Sequence, residues 1–387
     1  MSFFGIALIV WTALAYLPEI ISFIATYKIH KILKNQVQRQ NQKPKFSKKV
    51  SVIVPCKGLD NGLEENIKSF LNQNYRNYET IFVVDDFRDP CVKILKRFSK
   101  NKRAKIIKTK KDRFYHGKPA ALATGIKHAS CEILAFADSD IRPHPNWLCD
   151  MISPLLDRSA TATTSFRWYF PENGNLSSCI RSAWNTIGLG IMFSDRMRYV
   201  WGGSWAIRKK DFHEINFFEK WKNQFSEDSQ VTIELKRLRK KVKFVPEALA
   251  ATFDSSTFFH LFEFTNRQIA IVRKFSKKAY RTAFFLYTWF TLIFISGIFV
   301  LLYSYFFSKN LYLFGILLIL PQFLTVMRSW IRYNCIQKIV PEYSEHFKKF
   351  KARIILSDFF VRFLQEYNLI RAKFMKKIVW RGNEISL

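Results

Sequence analysis

The sequence predicts an α/β protein with a mostly parallel sheet, flanked by membrane helices and closed by an amphipathic tail. Three observations carry that expectation. From Lys48 to about Asp157, short continuous apolar runs alternate with helical segments, the pattern of parallel strands covered on both faces. Apolar stretches long enough for a bilayer span, about 20 residues, lie at Phe3–Thr26 and again from Ala283 onward. The chain of 387 residues carries 62 Lys and Arg against 30 Asp and Glu, a formal charge of +32, together with 39 Phe. That pairing suits an anionic membrane surface better than a nucleic-acid groove. Nucleic-acid binding would explain the charge but not the spans, so no nucleic-acid partner is expected.

Residues 1–27 read as an N-terminal transmembrane helix. No Lys or Arg precedes the apolar run, whereas Lys28, Lys31 and Lys34 follow it. A cleaved signal would have the reverse order, and the positive-inside rule places Lys28 onward in the cytosol. Pro18 and Glu19 are out of place inside a span; they mark an interfacial kink or a helix lining a lipid site. The six cysteines are scattered without a CxxC pair. They read as buried thiols in a reducing compartment.

Residues 48–280 read as the cytosolic domain. "VSVIVP" is its first strand, "GLEENIKSFLNQN" a helix, and "TIFVVDD" a strand ending in Asp85 and Asp86. Pro90–Ser99 is helical with Pro in its first turn, "AKIIKT" is a strand, and Lys118–His128 is a helix opened by Pro119. "EILAFADSD" is a strand that ends in Asp138 and Asp140, and Trp147–Leu156 is the next helix. Ligands of such sheets bind outside the carboxyl ends of the strands, where Asp85, Asp86, Asp138 and Asp140 gather. Neither GxGxxG nor GxxxxGK[ST] is present. A carboxylate rim needs a cation, and a divalent ion bridging two carboxylates to a diphosphate satisfies the charges. Ser139 between the acids lets both point to one side of an extended segment.

Residues 283–330 read as a transmembrane hairpin: Ala283–Phe307 and Leu311–Val326 are separated only by Ser308-Lys309-Asn310. Lys277, Lys278 and Arg281 flank one end and Arg328 and Arg332 the other, so both ends lie in the cytosol. Residues 345–380 carry Leu356, Phe360, Phe363, Tyr367, Ile370 and Phe374 at helical spacing among Lys and Arg. This is the pattern of a helix lying in the membrane interface against anionic phospholipid.

Several segments then become familiar. "ETIFVVDDFRDP", "HGKPAALATGIKHASCEILAFADSDIRP", "VWGGSWAIRKKDF", "FSEDSQVTIELKRLRKKVKFVPEA" and "KIVWRGNEISL" occur in order along the chain. Together they resemble the family 2/21 glycosyltransferases, most of all the membrane-bound ceramide glucosyltransferase branch. The resemblance implies a GT-A catalytic domain, Rossmann-like with a mostly parallel sheet. It implies that Asp86 holds the uracil or ribose end of a nucleotide-sugar, with Asp85 competing for that part. Lys118, at a helix N-terminus, would attract the diphosphate or is simply solvated. Asp138 and Asp140 would bind Mn2+ or Mg2+, with Asp138 also on the nucleotide-sugar. Asp228 would be the general base; Ser226, Glu227 and Asp228 also read as an ordinary helix start. Gly202, Gly203 and Glu227 would lie on the acceptor side. One motif departs: where the family has Gln-x-x-Arg-Trp, this chain reads "NRQIAIVRKF". Gln268 is kept, Ile271 and Val272 stand at the Arg-Trp positions, and Arg267 or Arg273 would supply the missing cation; Gln268 and Arg273 would bind the nucleotide-sugar.

The expected activity is inverting transfer of a hexose from a nucleotide-sugar, with UDP-glucose as the expected donor, to a hydroxyl of a membrane lipid. A single base without a second carboxylate nucleophile implies one displacement. The alternatives are a processive polysaccharide synthase, which needs more spans than three, and a non-catalytic basic membrane scaffold. The expected location is a multi-pass membrane protein with its catalytic domain in the cytosol, in a bacterial plasma membrane or a eukaryotic endomembrane.

Overall fold

The computed structural model describes residues 3–37, 48–110, 112–307, 309–380 and 383–387. After helix α1 (Phe3–Val37), the elements β1 (Val50–Cys56), α2 (Leu63–Leu71), β2 (Tyr78–Val84), α3 (Cys91–Leu95), β3 (Ala104–Lys108), α4 (Gly117–His128), β4 (Ile133–Ala137) and α5 (Trp147–Leu156) alternate as the sequence predicts. Then follow β5 (Ala162–Thr164), β6 (Arg167–Pro171), α6 (Leu176–Met192), β7 (Ser204–Arg208), α7 (Lys209–Glu214), α8 (Phe217–Trp221), α9 (Glu227–Arg237), β8 (Val242–Phe244) and β9 (Ala250–Asp254). Five helices, α10 (Phe258–Phe275), α11 (Lys277–Phe306), α12 (Tyr312–Ile339), α13 (Ser344–Lys348) and α14 (Lys351–Phe374), precede a hairpin of β10 (Lys377–Trp380) and β11 (Asn383–Ser386). Ser308, in the predicted turn of the transmembrane hairpin, and Arg381 and Gly382, of the closing Trp-Arg-Gly, lie outside the described residues.

Among the described residues the main sheet has the strand order β3-β2-β1-β4-β7-β5-β8. The first four strands are parallel, whereas β7 is antiparallel to both β4 and β5. Strands β1 and β4 lie at the centre and are wholly apolar or nearly so, because helices cover both faces. One face packs Phe70, Tyr75 and Trp147 from the α2 and α5 side. The other stacks Phe136 on Trp205, with ring centroids 4.2 Å apart, and adds Phe212 and Trp221. The antiparallel β7 matters for the site. Its register sets Ala137 opposite Ser204, so the segment after β4 and the segment before β7 leave the sheet at one edge. There the Asp138 N–H donates to the Gly203 carbonyl at 3.2 Å. All six cysteines are buried free thiols, the state expected of them.

Helices α1, α11 and α12 are each long and apolar enough to cross a membrane. The hairpin helices extend past the predicted 283–330, to Lys277 and Ile339, because helical hydrogen bonding continues beyond the apolar stretch. Gly297 and Gly315 let α11 and α12 approach closely: an added Cβ would sit 2.8 Å from Ile319 and 2.6 Å from Leu301, respectively. Helix α1 joins them through Trp11, whose indole N–H donates to Ser296 Oγ at 3.0 Å, and Tyr16, whose hydroxyl donates to the Leu317 carbonyl at 2.7 Å. Glu19 is neither at a kink alone nor facing lipid. It is buried and ion-paired with Arg362 and, at 3.3 Å, with Arg328.

The tail forms one long helix with one face packed on the rest of the protein. Of the predicted apolar stripe, helix α14 leaves Leu356, Phe360, Tyr367, Ile370 and Phe374 exposed, whereas Phe363 is half-buried against Phe294. The opposite face is buried and mixed: Ile354, Ile355, Val361, Leu364 and Leu369 join the core, while Gln365 accepts from the Trp184 indole at 2.8 Å and Asn368 accepts from Thr265 at 3.1 Å.

Candidate active site

Five segments converge at the carboxyl end of β4. Asp138, Ser139 and Asp140 leave that strand; Arg167 opens β6; Trp201-Gly202-Gly203 precede β7; Glu227 and Asp228 form the first turn of α9; Lys118 lies in the first turn of α4. The Arg167 guanidinium forks across the paired acids. Its Nη1 donates to Asp140 Oδ2 at 2.8 Å, and its Nη2 to Asp138 Oδ2 at 2.9 Å and Asp140 Oδ1 at 3.0 Å. The Trp201 ring lies 5.0 Å from the same guanidinium, within cation–π range. Burial opposes the charge on Arg167, but Asp140, Tyr169 and Asp138 outweigh it and raise its pKa.

Lys118 is the second cation. Its Nζ lies 2.7 Å from Asp138 Oδ1 and 2.9 Å from Glu227 Oε1, and donates to the Gly202 carbonyl at 3.2 Å. Burial works against this ammonium, yet Asp138, Glu227 and Asp228 prevail and raise it. Lys118 is thus a half-buried hub held by three partners rather than a solvated residue. Glu227 is fully enclosed, and burial pushes it up to about 7 against the pull of Lys118.

The two glycines explain how acids from separate segments come together. A Cβ on Gly202 would meet Asp228 Oδ2 and Glu227 Oε1, each at 2.9 Å. A Cβ on Gly203 would meet the Trp201 ring at 2.1 Å and Asp138 Oδ2 at 2.6 Å. Bare backbone therefore separates the α9 acids from the β4 acids. Asp228 Oδ2 accepts from the Gly202 N–H at 3.0 Å, while its Oδ1 accepts from Ser226 Oγ at 2.6 Å and the Ser229 N–H at 2.7 Å. The Ser226 side chain makes no cap bond to the helix backbone. Its hydroxyl orients Asp228 instead.

The remaining predicted residues lie further out. Asp86 is at the same rim, but β1 separates its strand from β4. It pairs with Lys108 at 2.8 Å and accepts from the Arg88 N–H, contacts that lower its pKa. Asp85 pairs with Lys57, 3.3 Å away. Gln268 is half-buried on α10, and the Arg267 guanidinium lies 5.8 Å from the Phe264 ring. Arg273 is turned to another task. It donates to the carbonyls of Ala372, Lys373 and Met375, closing the C-terminus of α14, where a cation meets the helix dipole. Two residues join the site that sequence reasoning passed over. One is Arg167, whose signal is a lone cation within "SFRWYFP" at the head of a buried strand. The other is Asp60, which accepts from Ser139 Oγ at 2.5 Å.

Among the described residues, no three His, Cys, Asp or Glu side chains cluster to hold a metal ion. The donor set at the paired acids is nevertheless apt: oxygens of Asp138 and Asp140 converge on one cationic group. Mg2+ and similar hard ions are commonly held by one or two carboxylates, with substrate phosphates completing the shell. These residues fit such an ion in the place the guanidinium takes.

The fold and the acid cluster at its rim define a GT-A type of protein. Over 94% of this chain and 97% of its own, the structure matches the mannosyltransferase PcManGT from Pyrobaculum calidifontis, solved in complex with GDP-Man and Mn2+, with a TM-score of 0.50 and 14% identity. At that identity the likeness is one of fold. The pattern of glycosyl transferase family 21 matches residues 14–387, and the chain belongs to that family. Ceramide glucosyltransferase 1 of Caenorhabditis elegans is 24% identical over 167 residues, covering 40% of this chain and 33% of the relative. An uncharacterized glycosyltransferase of Rickettsia bellii (strain RML369-C) is 35% identical over 92 residues, covering 24% of this chain and 13% of the relative. The matched stretches therefore span at most a third of these two relatives.

Proposed function

We propose that the chain transfers a hexose from a nucleotide-sugar, with UDP-glucose as the donor, to a hydroxyl of a membrane lipid, inverting the anomeric centre. The observation that carries this reading is the Gly202-Gly203 joint, with the Asp138 carboxylate against one glycine and the Asp228 carboxylate against the other. In this reading Asp138 and Asp140 hold the donor diphosphate through Mn2+ or Mg2+, which when bound would neutralise charge developing on the leaving group. Lys118 adds a fixed positive charge beside it, and Asp86 takes the nucleoside end. Asp228 Oδ2 accepts only one protein hydrogen bond among those described, so a lone pair remains for the acceptor hydroxyl. As that oxygen bonds to the anomeric carbon and the diphosphate departs, Asp228 takes the proton. Glu227, held by Lys118, supports the acceptor side, and Gln268 lies toward the membrane. Arg273 has no part in donor binding in this reading, because α14 engages it.

The membrane arrangement is part of the proposal. The N-terminus lies outside, the domain and tail lie in the cytosol, and the exposed stripe of α14 rests in the interface. A lipid acceptor then meets Asp228 without leaving the bilayer. Membranes containing the chain, given labelled sugar nucleotide, should deliver label to the chloroform-extracted lipid, and Asp228→Asn should abolish that delivery. Label in a water-soluble oligosaccharide or a long polymer, with none in lipid, would favour a polysaccharide synthase instead.

A further inference from the structure

A second concentration of charge lies on the other side of α9. A cleft of about 590 Å³ opens between the loop after α6, the end of α9 and β8. Arg198, Lys236, Lys240, Lys241 and Lys243 line it, with Asp195 as the acid among the lining residues. Asp195 pairs with Arg198 at 2.8 Å and is itself almost fully exposed. Arg198 is also fixed by the carbonyls of Met192 and Val242, each at 2.8 Å. Among the described residues, none of the four lysines has a carboxylate partner within ion-pair distance. Burial, and to a lesser degree Arg198, lower the pKa of Lys236, and five cations line this one cleft. Such crowding is unfavourable unless an anion relieves it.

Two further contacts say where that anion comes from and what it would touch. Ile32 closes one side of the cleft; it lies in α1 just after Lys28 and Lys31, the first cations beyond the apolar run. With α1 read as a span, the opening therefore lies near the level of the headgroups, next to the basic flank of the apolar run. On the other side Thr232 lines the cleft; its hydroxyl donates to the Asp228 carbonyl at 2.8 Å and accepts from the Val200 N–H at 2.9 Å. Val200 leads directly into Trp201-Gly202-Gly203. The cleft thus shares α9 and the glycine segment with the acid cluster, without sharing its carboxylates.

We propose that this cleft is a binding site for the phosphate of an anionic membrane lipid, separate from donor and acceptor, which seats the domain on the bilayer beside Asp228. The proposal rests on the reading of α1 as a span, and not on sugar transfer. A phosphate oxyanion suits the surplus of cations over acids, and the acyl chains remain in the bilayer next to α1. The donor diphosphate is met elsewhere, by Lys118 and the paired acids.

The test uses the purified full chain in detergent micelles and a fluorescent phosphatidic acid, with binding read by anisotropy. A surface-adjacent cation contributes about 1 kcal/mol to anionic lipid binding, or about fivefold. Combining Lys240→Gln, Lys241→Gln and Lys243→Gln should therefore weaken binding by roughly a hundredfold. Combining Lys96→Gln, Lys100→Gln and Lys102→Gln, on the far side of the sheet, should change it less than about threefold. Neutral phosphatidylcholine should not compete. An unchanged affinity in the first triple variant, or an equal loss in both, would overturn the site. Competition by inorganic phosphate at the concentration at which phosphatidic acid competes would overturn the lipid as its source. Because no sugar nucleotide is present, a failure of lipid glycosylation leaves this result readable.

Discussion

Arg167 is the cation that bridges both paired acids, and its removal should therefore change how those acids meet a metal ion. Consider Arg167→Met, which keeps volume and removes charge. Removing one partner of a buried ion pair costs about 3–5 kcal/mol. The side chains of Arg167, Asp138 and Asp140 are 11%, 24% and 30% exposed, so water screens part of that. Asp138 also retains Lys118 at 2.7 Å, which leaves Asp140 as the acid without a cation. The cost should be about 2–3 kcal/mol, below the fully buried range because of that screening. The same quantity is what a divalent ion must overcome to displace the guanidinium. Mn2+ affinity of the nucleotide-free protein, measured from the free-ion electron paramagnetic resonance signal, should thus rise about thirty- to about 160-fold in the variant. The variant should also unfold at lower temperature without Mn2+ and recover with it. Unchanged or weaker Mn2+ binding would refute the reasoning, since the acids would then not be a cation site for which Arg167 competes.

Asp228→Asn should lower lipid glycosylation by at least about a hundredfold, as loss of a general base does, while equilibrium binding of the sugar nucleotide stays within a few-fold. Gly203→Ala should abolish donor binding even though alanine is small, because its Cβ would lie 2.6 Å from Asp138 Oδ2 and 2.1 Å from the Trp201 ring; isothermal titration with the nucleotide checks this. Glu227, raised from an ordinary 4.5 to about 7, holds a proton in the folded state that the unfolded chain has already lost. Its contribution to stability should accordingly fall as pH rises from about 4.5 to about 7. Thermal scans across that window should show a shallower decline for Glu227→Gln than for the parent. Arg273→Ala should leave the donor KM unchanged but destabilise the contact of α10 with α14, read as faster proteolysis after residue 370.

The alternating first half of the domain was legible because each strand there is a continuous apolar run with an abrupt end. The runs at β1, β2 and β4 and the helix Trp147–Leu156 announce themselves, and acids at strand ends point to the rim. The second half was not legible in the same way. Strand β7 inserts antiparallel between β4 and β5, a choice of partner that no local pattern encodes. Yet that insertion is what brings Gly203 against Asp138. Arg167 was hidden for a different reason: in a chain with 62 Lys and Arg, a single arginine carries no signal until the acids opposite it are placed. Arg273 shows the converse. Its position near a family motif suggested a substrate contact, but three carbonyls at a helix end compete for the same guanidinium.

The buried charges between the helices extend this reasoning from the site to its setting. Glu19 in α1 is paired with Arg328 of α12 and Arg362 of α14, and Asp358 of α14 lies 3.6 Å from Arg332 of α12. Buried ion pairs add little net stability, because desolvation offsets most of the attraction. What they impose is register: a slide of one helix past another would strand a charge in an apolar setting at several kcal/mol. Helix α14 carries that register inward, since Gln365 and Asn368 on the same helix bind Trp184 of α6 and Thr265 of α10. Helix α6 in turn packs against β6, the strand that begins with Arg167. A continuous chain of polar contacts and packing therefore runs from the first apolar helix to the residue that grips the paired acids. If the acceptor is a membrane lipid, as proposed, the height of Asp228 above the membrane must be fixed as firmly as its distance from the donor. Polar pairs between apolar helices can fix that height where apolar packing alone would let them slide.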